Sequence, residues 1–329
     1  MNYSEESPTL TADQATMPGR EAVSALRLRC PICYKALETS ACSGCGFAIP
    51  EVNGISRALT PDREAHFDQF IREYEMVRAK EGRGSTSPDY YHALPFQDLT
   101  GRNAWQWKIR ARTFRHMESH ILPELERAYP RGCDVLDIGA GNCWLSYRLA
   151  LRGHRPAAVD VITNDADGLG AATHYFRRLP RTFPRFQAEM DRLPFAPEQF
   201  DLVIFNASFH YSVDYQQTIE EAMRCLRRPG HVIIADSPFY ARDESGQAML
   251  EERRVAFQQR FGFRSDSIAS REYLTRKALD ELAGRLSLRW TVLKPWYGMG
   301  WALRPLKARL FRRREPAKFY LFWARVTGS

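Results

Sequence analysis

Val135-Leu136-Asp137-Ile138-Gly139-Ala140-Gly141-Asn142-Cys143-Trp144-Leu145-Ser146 decides the fold. An apolar run, a glycine-rich turn and a helix start follow one another without a spacer. The helix continues from Tyr147 to Leu151, Gly153-His154 ends it, and Pro156-Ala157-Ala158-Val159-Asp160 supplies a second apolar strand. Strand, helix and strand in this order make a right-handed parallel unit that binds nucleotides at the carboxyl ends of its strands. A dinucleotide turn wants a third small residue where the helix crosses the strand, whereas this chain has Trp144 there. That argues against a nicotinamide oxidoreductase. Asp137, two residues before the first glycine, suits a ligand whose amino group needs an acceptor beside the turn. Asp160, at the end of the second strand, can accept from both hydroxyls of a ribose.

Three further stretches follow in the order of a larger sheet: Glu189-Met190-Asp191-Arg192-Leu193-Pro194-Phe195, Phe200-Asp201-Leu202-Val203-Ile204-Phe205-Asn206, and Leu226-Arg227-Arg228-Pro229-Gly230 running on to Ala235. With the glycine turn and Asp160, residues 133–238 resemble the class I S-adenosylmethionine-dependent methyltransferases, particularly the quinone-biosynthesis branch. The resemblance implies S-adenosylmethionine as co-substrate and an α/β, Rossmann-like, seven-stranded sheet with an antiparallel final hairpin. It also implies donor-binding roles for Asp137, Gly139, Gly141, Asn142, Asp160 and Asn206, an adenine-facing carboxylate at Glu189 and ring packing by Met190. Residues 286–293 and 318–324 read as the two late strands, after a helix over 271–286.

A sulfonium donor is already activated, so the protein mainly aligns the acceptor and, where needed, takes up a proton. After the fourth strand the chain reads Asn206-Ala207-Ser208-Phe209-His210-Tyr211. His210 is the first candidate for general base or acceptor positioning and Tyr211 the second. The plainer alternative is a histidine that only bonds neighbouring backbone. Asp236-Ser237-Pro238-Phe239-Tyr240 would help line the acceptor pocket. The fourth strand is not followed by the Asn-Pro-Pro-aromatic sequence of enzymes that methylate exocyclic base amines. That subclass is disfavoured, but ring-nitrogen or ribose methylation of RNA is not.

Near the start, Cys30-Pro-Ile-Cys33 and Cys42-Ser-Gly-Cys45 form two Cys-x-x-Cys pairs eight residues apart. Two such turns facing each other supply four thiolates for a tetrahedral zinc with no open position, so the metal would be structural. A redox pair or unligated thiol turns are the alternative. The ribbon resembles both the Trm112-like module of many bacterial methyltransferases and the ribbon of guanine-N1 ribosomal RNA methyltransferases. Residues 47–55 read as its closing strand and turn.

Between ribbon and glycine turn the pattern is helical, with Phe67, Phe70, Ile71, Tyr74 and Val77 on one face and a second helix over 103–127. Tyr90, Tyr91, Trp105 and Trp107 read as core or as a ligand lid. The division expected is a flexible tail over 1–25, a zinc ribbon over 26–60, a helical linker or lid over 61–128 and a methyltransferase domain over 129–329.

The chain has 329 residues and a net charge of +8, and the excess is local: nine basic residues face Glu315 alone between 291 and 329. Most lie in a basic insert, 295–317, that joins the two late strands. It suggests contact with an anionic acceptor or an anionic membrane surface. No run approaches the roughly 20 apolar residues of a membrane span, and the tail has no apolar stretch of a secretory signal. A cytoplasmic protein, peripheral to the membrane at most, is expected. The reading is methyl transfer to a small-molecule or lipid-like acceptor; RNA as substrate and a non-catalytic scaffold remain the alternatives, with the oligomeric state open.

Overall fold

The computed structural model describes residues 26–38 and 41–327, and the tail expected over 1–25 lies outside them. The ribbon segment gives an antiparallel pair, β1 (Leu28–Arg29) and β2 (Ala36–Leu37), then a tight hairpin, β3 (Glu51–Val52) and β4 (Ile55–Arg57). Four helices follow: α1 (Pro61–Lys80), α2 (Pro88–Ala93), α3 (Ala104–His120) and α4 (Leu122–Ala128). In α1, Pro61 sits in the first turn, where its missing N–H costs nothing. Acidic Asp62 and Glu64 at its start and basic Arg78 and Lys80 at its end suit the helix dipole. The single helix expected over 103–127 is divided at Ile121, two residues before Pro123, whose ring cannot continue α3.

The central layer is built from β5 (Asp134–Ile138), α5 (Trp144–Leu151), β6 (Arg155–Asp160), α6 (Thr173–Phe176), β7 (Arg185–Gln187), β8 (Phe200–Asn206), α7 (Tyr215–Cys225) and β9 (Leu226–Ala235). Beyond it lie β10 (Phe239–Tyr240), α8 (Asp243–Phe261), β11 (Leu274–Thr275), α9 (Arg276–Leu286), β12 (Trp290–Leu293), the short α10 (Met299–Ala302) and α11 (Arg304–Leu310), and β13 (Leu321–Val326). The helix expected from 271 starts at Arg276 because residues 274–275 instead pair with β10.

The main sheet has the order β12-β13-β9-β8-β5-β6-β7-β4-β3. Its centre is parallel, with β13 antiparallel to both of its neighbours. Seven strands were expected and nine form. The additional two are the hairpin read as the end of the ribbon: β4 pairs in parallel with β7 through Ser56↔Phe186 and Arg57↔Gln187, and carries β3 with it. Pairing covers the otherwise open edge of β7 and buries Ile55 to 1% exposure.

Both faces of the centre are covered, so its strands carry apolar residues on both sides, and these sort by parity. Leu136, Val203, Phe205, Val232 and Ile234 pack on one side, while Val135, Leu202, Ile204 and Ile233 pack on the other. One core contains residues of α7 and α9, the other residues of α3, α4 and α5. Because β12 and β9 are both antiparallel to β13, β12 runs parallel to β9. The basic insert therefore leaves β12 at the carboxyl edge of the sheet, the edge where the glycine turn lies. No helix among the described residues is long and apolar enough to cross a membrane.

The sheet extension makes Ile55 a core residue and leaves its hairpin partner Val52 at the surface. Ile55→Ala should cost about 2–4 kcal/mol, whereas Val52→Ala should stay within about 0.5 kcal/mol. Denaturant titration of both variants checks this, and equal costs would contradict the extension.

Candidate active site

The turn after β5 is set by Gly139, whose φ is +72°, and a Cβ there would lie 2.1 Å from Cβ of Ser208. Only glycine meets both demands. The amides of Gly139 and Ala140 donate to the Val159 carbonyl at 2.8 and 3.0 Å, and Ser208 Oγ donates to the Ile138 carbonyl at 2.5 Å. Cys143, at φ +61°, reverses the chain into α5. Asn142 is buried in this bend; its Oδ1 accepts from the Trp144 amide and its Nδ2 donates to Asp167, both at 3.3 Å.

Two carboxylates end the strands beside this turn, in different states. Asp160 accepts from the amides of Gly141 at 2.7 Å and Ile162 at 2.8 Å, one to each oxygen, which locks its plane. Each oxygen keeps a second lone pair for a hydroxyl donor. Asp137 is 1% exposed and accepts from Ser146 Oγ at 2.7 Å with Oδ2, while its Oδ1 has no partner. Burial pushes the Asp137 carboxyl up to about 7 and raises that of Asp160 as well.

Both aspartates line a cavity that also contains Gly139, Gly141, Asn142, Glu189, Met190 and Asn206. Every donor-side residue named from the sequence thus comes together around one space. The pair named for catalysis separates. Tyr211 lines the cavity, and His210 is not among its lining residues. The His210 ring is buried with Nδ1 3.2 Å from Ser237 Oγ, and burial pushes its imidazole down to about 4. His210 is consequently neutral at physiological pH and a weak base. Burial raises the phenol of Tyr211, which stays protonated.

The cavity has a roof, formed by the first helix of the segment expected as a helical linker or lid. One face of α1 lines it with Arg63, Phe67, Phe70, Tyr74 and Arg78. Rings of Phe70 and Tyr74 lie 6.3 and 6.4 Å from Tyr211 in edge-on geometry. Ion pairs hold α1 towards both ends. Arg63 binds Glu189 in a bidentate manner, with contacts of 2.6 to 3.0 Å, and Arg78 pairs with Asp167. Of the four aromatic residues read as core or as a ligand lid, Tyr90, Tyr91 and Trp107 are buried in the core packed on α5, and Trp105 is exposed. Arg110 of α3 also lines the cavity, 4.8 Å from the Trp107 ring, with no ion pair among the described residues.

The 295–317 insert does not line this cavity. It packs beside it: the hydroxyls of Tyr297 and Thr113 lie 2.8 Å apart, and Thr113 donates to Asp236 at 2.5 Å at the end of β9.

The four N-terminal cysteines converge. All four sulfurs lie within 4.8 Å of one another, with Cys30–Cys45 and Cys33–Cys42 at 3.4 Å. Four thiolates about 2.3 Å from one zinc stand about 3.8 Å apart in a tetrahedron, so the cluster fits that ion. Both turns have the same form. Ile32 and Gly44 amides donate to Cys30 and Cys42 sulfurs at 3.4 and 3.3 Å, and Tyr34 and Gly46 close each turn at positive φ. The ribbon is also tied to the central layer. Leu28 bridges Phe195, and Arg29 pairs with Glu221 at 2.5 Å, whose carboxylate accepts from the Leu193 amide at 2.8 Å.

A nucleotide-type glycine turn, a strand-end acid and a buried, half-satisfied aspartate meet in one cavity, within a segment that carries a methyltransferase domain. Residues 136–234 match the family model described as a methyltransferase domain. Solved structures similar to the chain include 1,6-didemethyltoxoflavin-N1-methyltransferase of Burkholderia thailandensis with 1,6-didemethyltoxoflavin and S-adenosylhomocysteine bound. It is 18% identical at a TM-score of 0.45, over 85% of this chain and 95% of that one. An S-adenosylmethionine-dependent methyltransferase of Mesorhizobium loti is 17% identical at 0.41, over 62% and 96%. No curated protein matches the sequence.

The raised acidity constant of Asp137 gives a signed test. Its protonated form is favoured by the fold, so its contribution is best below pH ~4 and is lost as pH rises through about 7. Asp137→Asn should stabilise the free protein at pH 8, by about 4 kcal/mol at most, and flatten this part of the stability profile. Thermal unfolding between pH 5 and 8 reads it, and a variant that is less stable at pH 8 would contradict the burial argument.

Proposed function

We propose that the protein transfers the methyl group of S-adenosylmethionine to a small-molecule or lipid-like acceptor. The observation that carries the donor half is Asp137 Oδ1, a buried acceptor without a partner on the cavity wall. An unpaired buried acceptor is costly, and the ammonium of the donor's methionine end would satisfy it. Asp160 would take the ribose hydroxyls, Glu189 and Met190 the adenine, and Gly139, Gly141, Asn142 and Asn206 would shape the space between them. Arg110 would face the donor's carboxylate.

The acceptor half rests on the roof. Phe67, Phe70 and Tyr74 of α1 cover the cavity with aromatic surface, which suits a compact or lipid-like acceptor better than a structured RNA held in an open basic groove. Tyr211 stands on the cavity wall as the positioning group, and His210 would act only through it. Because the sulfonium is activated, alignment supplies most of the rate, and a strong base is not required. The division of labour would be a zinc ribbon over 26–60, a helical lid over 61–128 and the transfer domain over 129–329. Zinc at Cys30, Cys33, Cys42 and Cys45 would be structural.

Titration calorimetry with S-adenosylhomocysteine tests the donor site. Asp137→Asn and Asp160→Ala should each weaken binding by about 1.5–3 kcal/mol, or roughly 10- to 150-fold. Wild-type affinity should rise with pH up to about 7, as Asp137 must ionise to pair with the ammonium. Absence of wild-type binding would sink the enzyme reading, and isotopic methyl recovered only in RNA would replace the acceptor class.

Purified protein should contain one zinc per chain. Cys30→Ser or Cys42→Ser should lower both zinc content, read by elemental analysis, and the unfolding midpoint; a zinc-free variant as stable as wild type would refute the structural role.

A further inference from the structure

We propose that the basic insert is a membrane-docking element that seats the carboxyl edge of the sheet on an anionic lipid surface. The contact deepens the function proposed above and rests on it for its purpose, delivery of a lipid-like acceptor. The observations behind the contact itself are independent of the donor site.

A helix of a water-soluble domain ordinarily turns its apolar side inward. Here the order is reversed. Leu303, Leu306 and Leu310 recur at i, i+3 and i+7, on one helical face, and are 41%, 64% and 75% exposed. Trp296, Met299 and Phe311 add exposures of 64–65% within the same segment. Exposed aliphatic residues scattered singly need no explanation, but six in sixteen consecutive residues form a patch that marks a contact.

The insert is held by its other side, so the exposure does not come from a detached loop. The guanidinium of Arg304 lies 3.8 Å from the centroid of Trp301, and that ring packs on Tyr297 at 5.0 Å and Phe319 at 5.6 Å. Arg314 binds Glu252 at 2.7 Å and closes the far end. The leucine stripe is therefore presented on an anchored frame.

Charge specifies the partner. Lys307, Arg309, Arg312 and Arg313 accompany the stripe, and none has an ion pair among the described residues; the sole acid between 291 and 329, Glu315, is bound to Lys318 at 2.6 Å. Unpaired cations beside a leucine, methionine and tryptophan surface match an anionic bilayer, where the apolar side chains enter the acyl boundary and the cations meet headgroup phosphates. Phosphates of RNA would satisfy the cations but leave Leu303, Leu306 and Leu310 in water. Position agrees with purpose, since the insert leaves β12 at the edge of the sheet that bears the cavity.

The test is sedimentation of the full chain with vesicles of phosphatidylcholine alone or with phosphatidylglycerol, alongside calorimetry with S-adenosylhomocysteine. Wild type should sediment with the anionic vesicles and stay in solution with the neutral ones. Leu306→Ser with Leu310→Ser should reduce partitioning at least about tenfold, and Arg312→Ser with Arg313→Ser roughly thirtyfold. Both variants should keep wild-type affinity for S-adenosylhomocysteine, because these residues do not line the cavity. Wild type that ignores anionic vesicles, or that binds a structured RNA and no vesicle, overturns the proposal. So does a leucine variant that partitions as wild type, since the charge alone would then explain binding. Vesicle binding without S-adenosylhomocysteine binding would instead leave the docking element standing and remove the methyltransferase reading.

Discussion

The close passage of Gly139 against Ser208 is the constraint from which the site follows. At 2.1 Å from the place a Cβ would occupy, the Cβ of Ser208 after β8 packs directly on the turn after β5. The Ser208 hydroxyl then bonds the Ile138 carbonyl and fixes the spacing of the two strand ends. This closeness places three carboxyl-edge loops around one cavity. Gly141 hands its amide to Asp160, so the turn is also fastened to the end of β6. The left-handed Cys143 lets α5 start directly afterwards, which puts Ser146 within 2.7 Å of Asp137. A side chain at position 139 would open all of these contacts together.

Over this floor, α1 is held by two ion pairs near its ends, Arg63 with Glu189 and Arg78 with Asp167. The acids are 6% exposed in both pairs. Buried pairs gain little net stability relative to apolar packing, but losing one partner is costly because it strands a charge. The pairs thus act less as glue than as fixed points for the helix. They also bear on ligand entry. Glu189 is the carboxylate proposed to meet the adenine amino group, and Arg63 engages both its oxygens. An incoming adenine has to share that carboxylate or displace Arg63, and displacing it would loosen the lid at the same end.

Local sequence carried the centre of the molecule well. The strand, turn and helix from Val135 to Leu151 depend on apolar runs and glycine positions within about fifteen residues of each other, and the structure follows them. Nine strands rather than seven form because pairing of β4 with β7 joins residues about 130 apart, and nothing local to Ile55-Ser56-Arg57 distinguishes a ribbon edge from a sheet edge. The same gap left open what the aromatic face of α1 covers. Periodicity reveals that Phe67, Phe70 and Tyr74 share a face, but not whether a core or a cavity lies under it. Arg63, in the first turn where the helix dipole disfavours a cation, was the available signal beside that aromatic stripe. His210 and Tyr211 are adjacent in a single 3-10 turn, so which of them faces the cavity was beyond any argument from spacing.

The ribbon's position gives its rigidity a route to the transfer site. A four-cysteine module is too small to build a core of its own, and its β1 edge is used to bridge Phe195 and to send Arg29 to Glu221. Glu221 in turn accepts from the Leu193 amide and from Arg224. Leu193 and Phe195 lie in the core, four and six residues beyond Glu189. The segment bearing Glu189 is therefore restrained from two directions, by α1 through Arg63 and by the ribbon through Glu221. The two restraints differ in kind. Arg63 meets the carboxylate itself and can be displaced by a ligand, whereas the ribbon grips the backbone behind it and leaves the carboxylate free. A site that must exchange its donor after every turnover needs both: a partner that yields at the ligand and a support that does not.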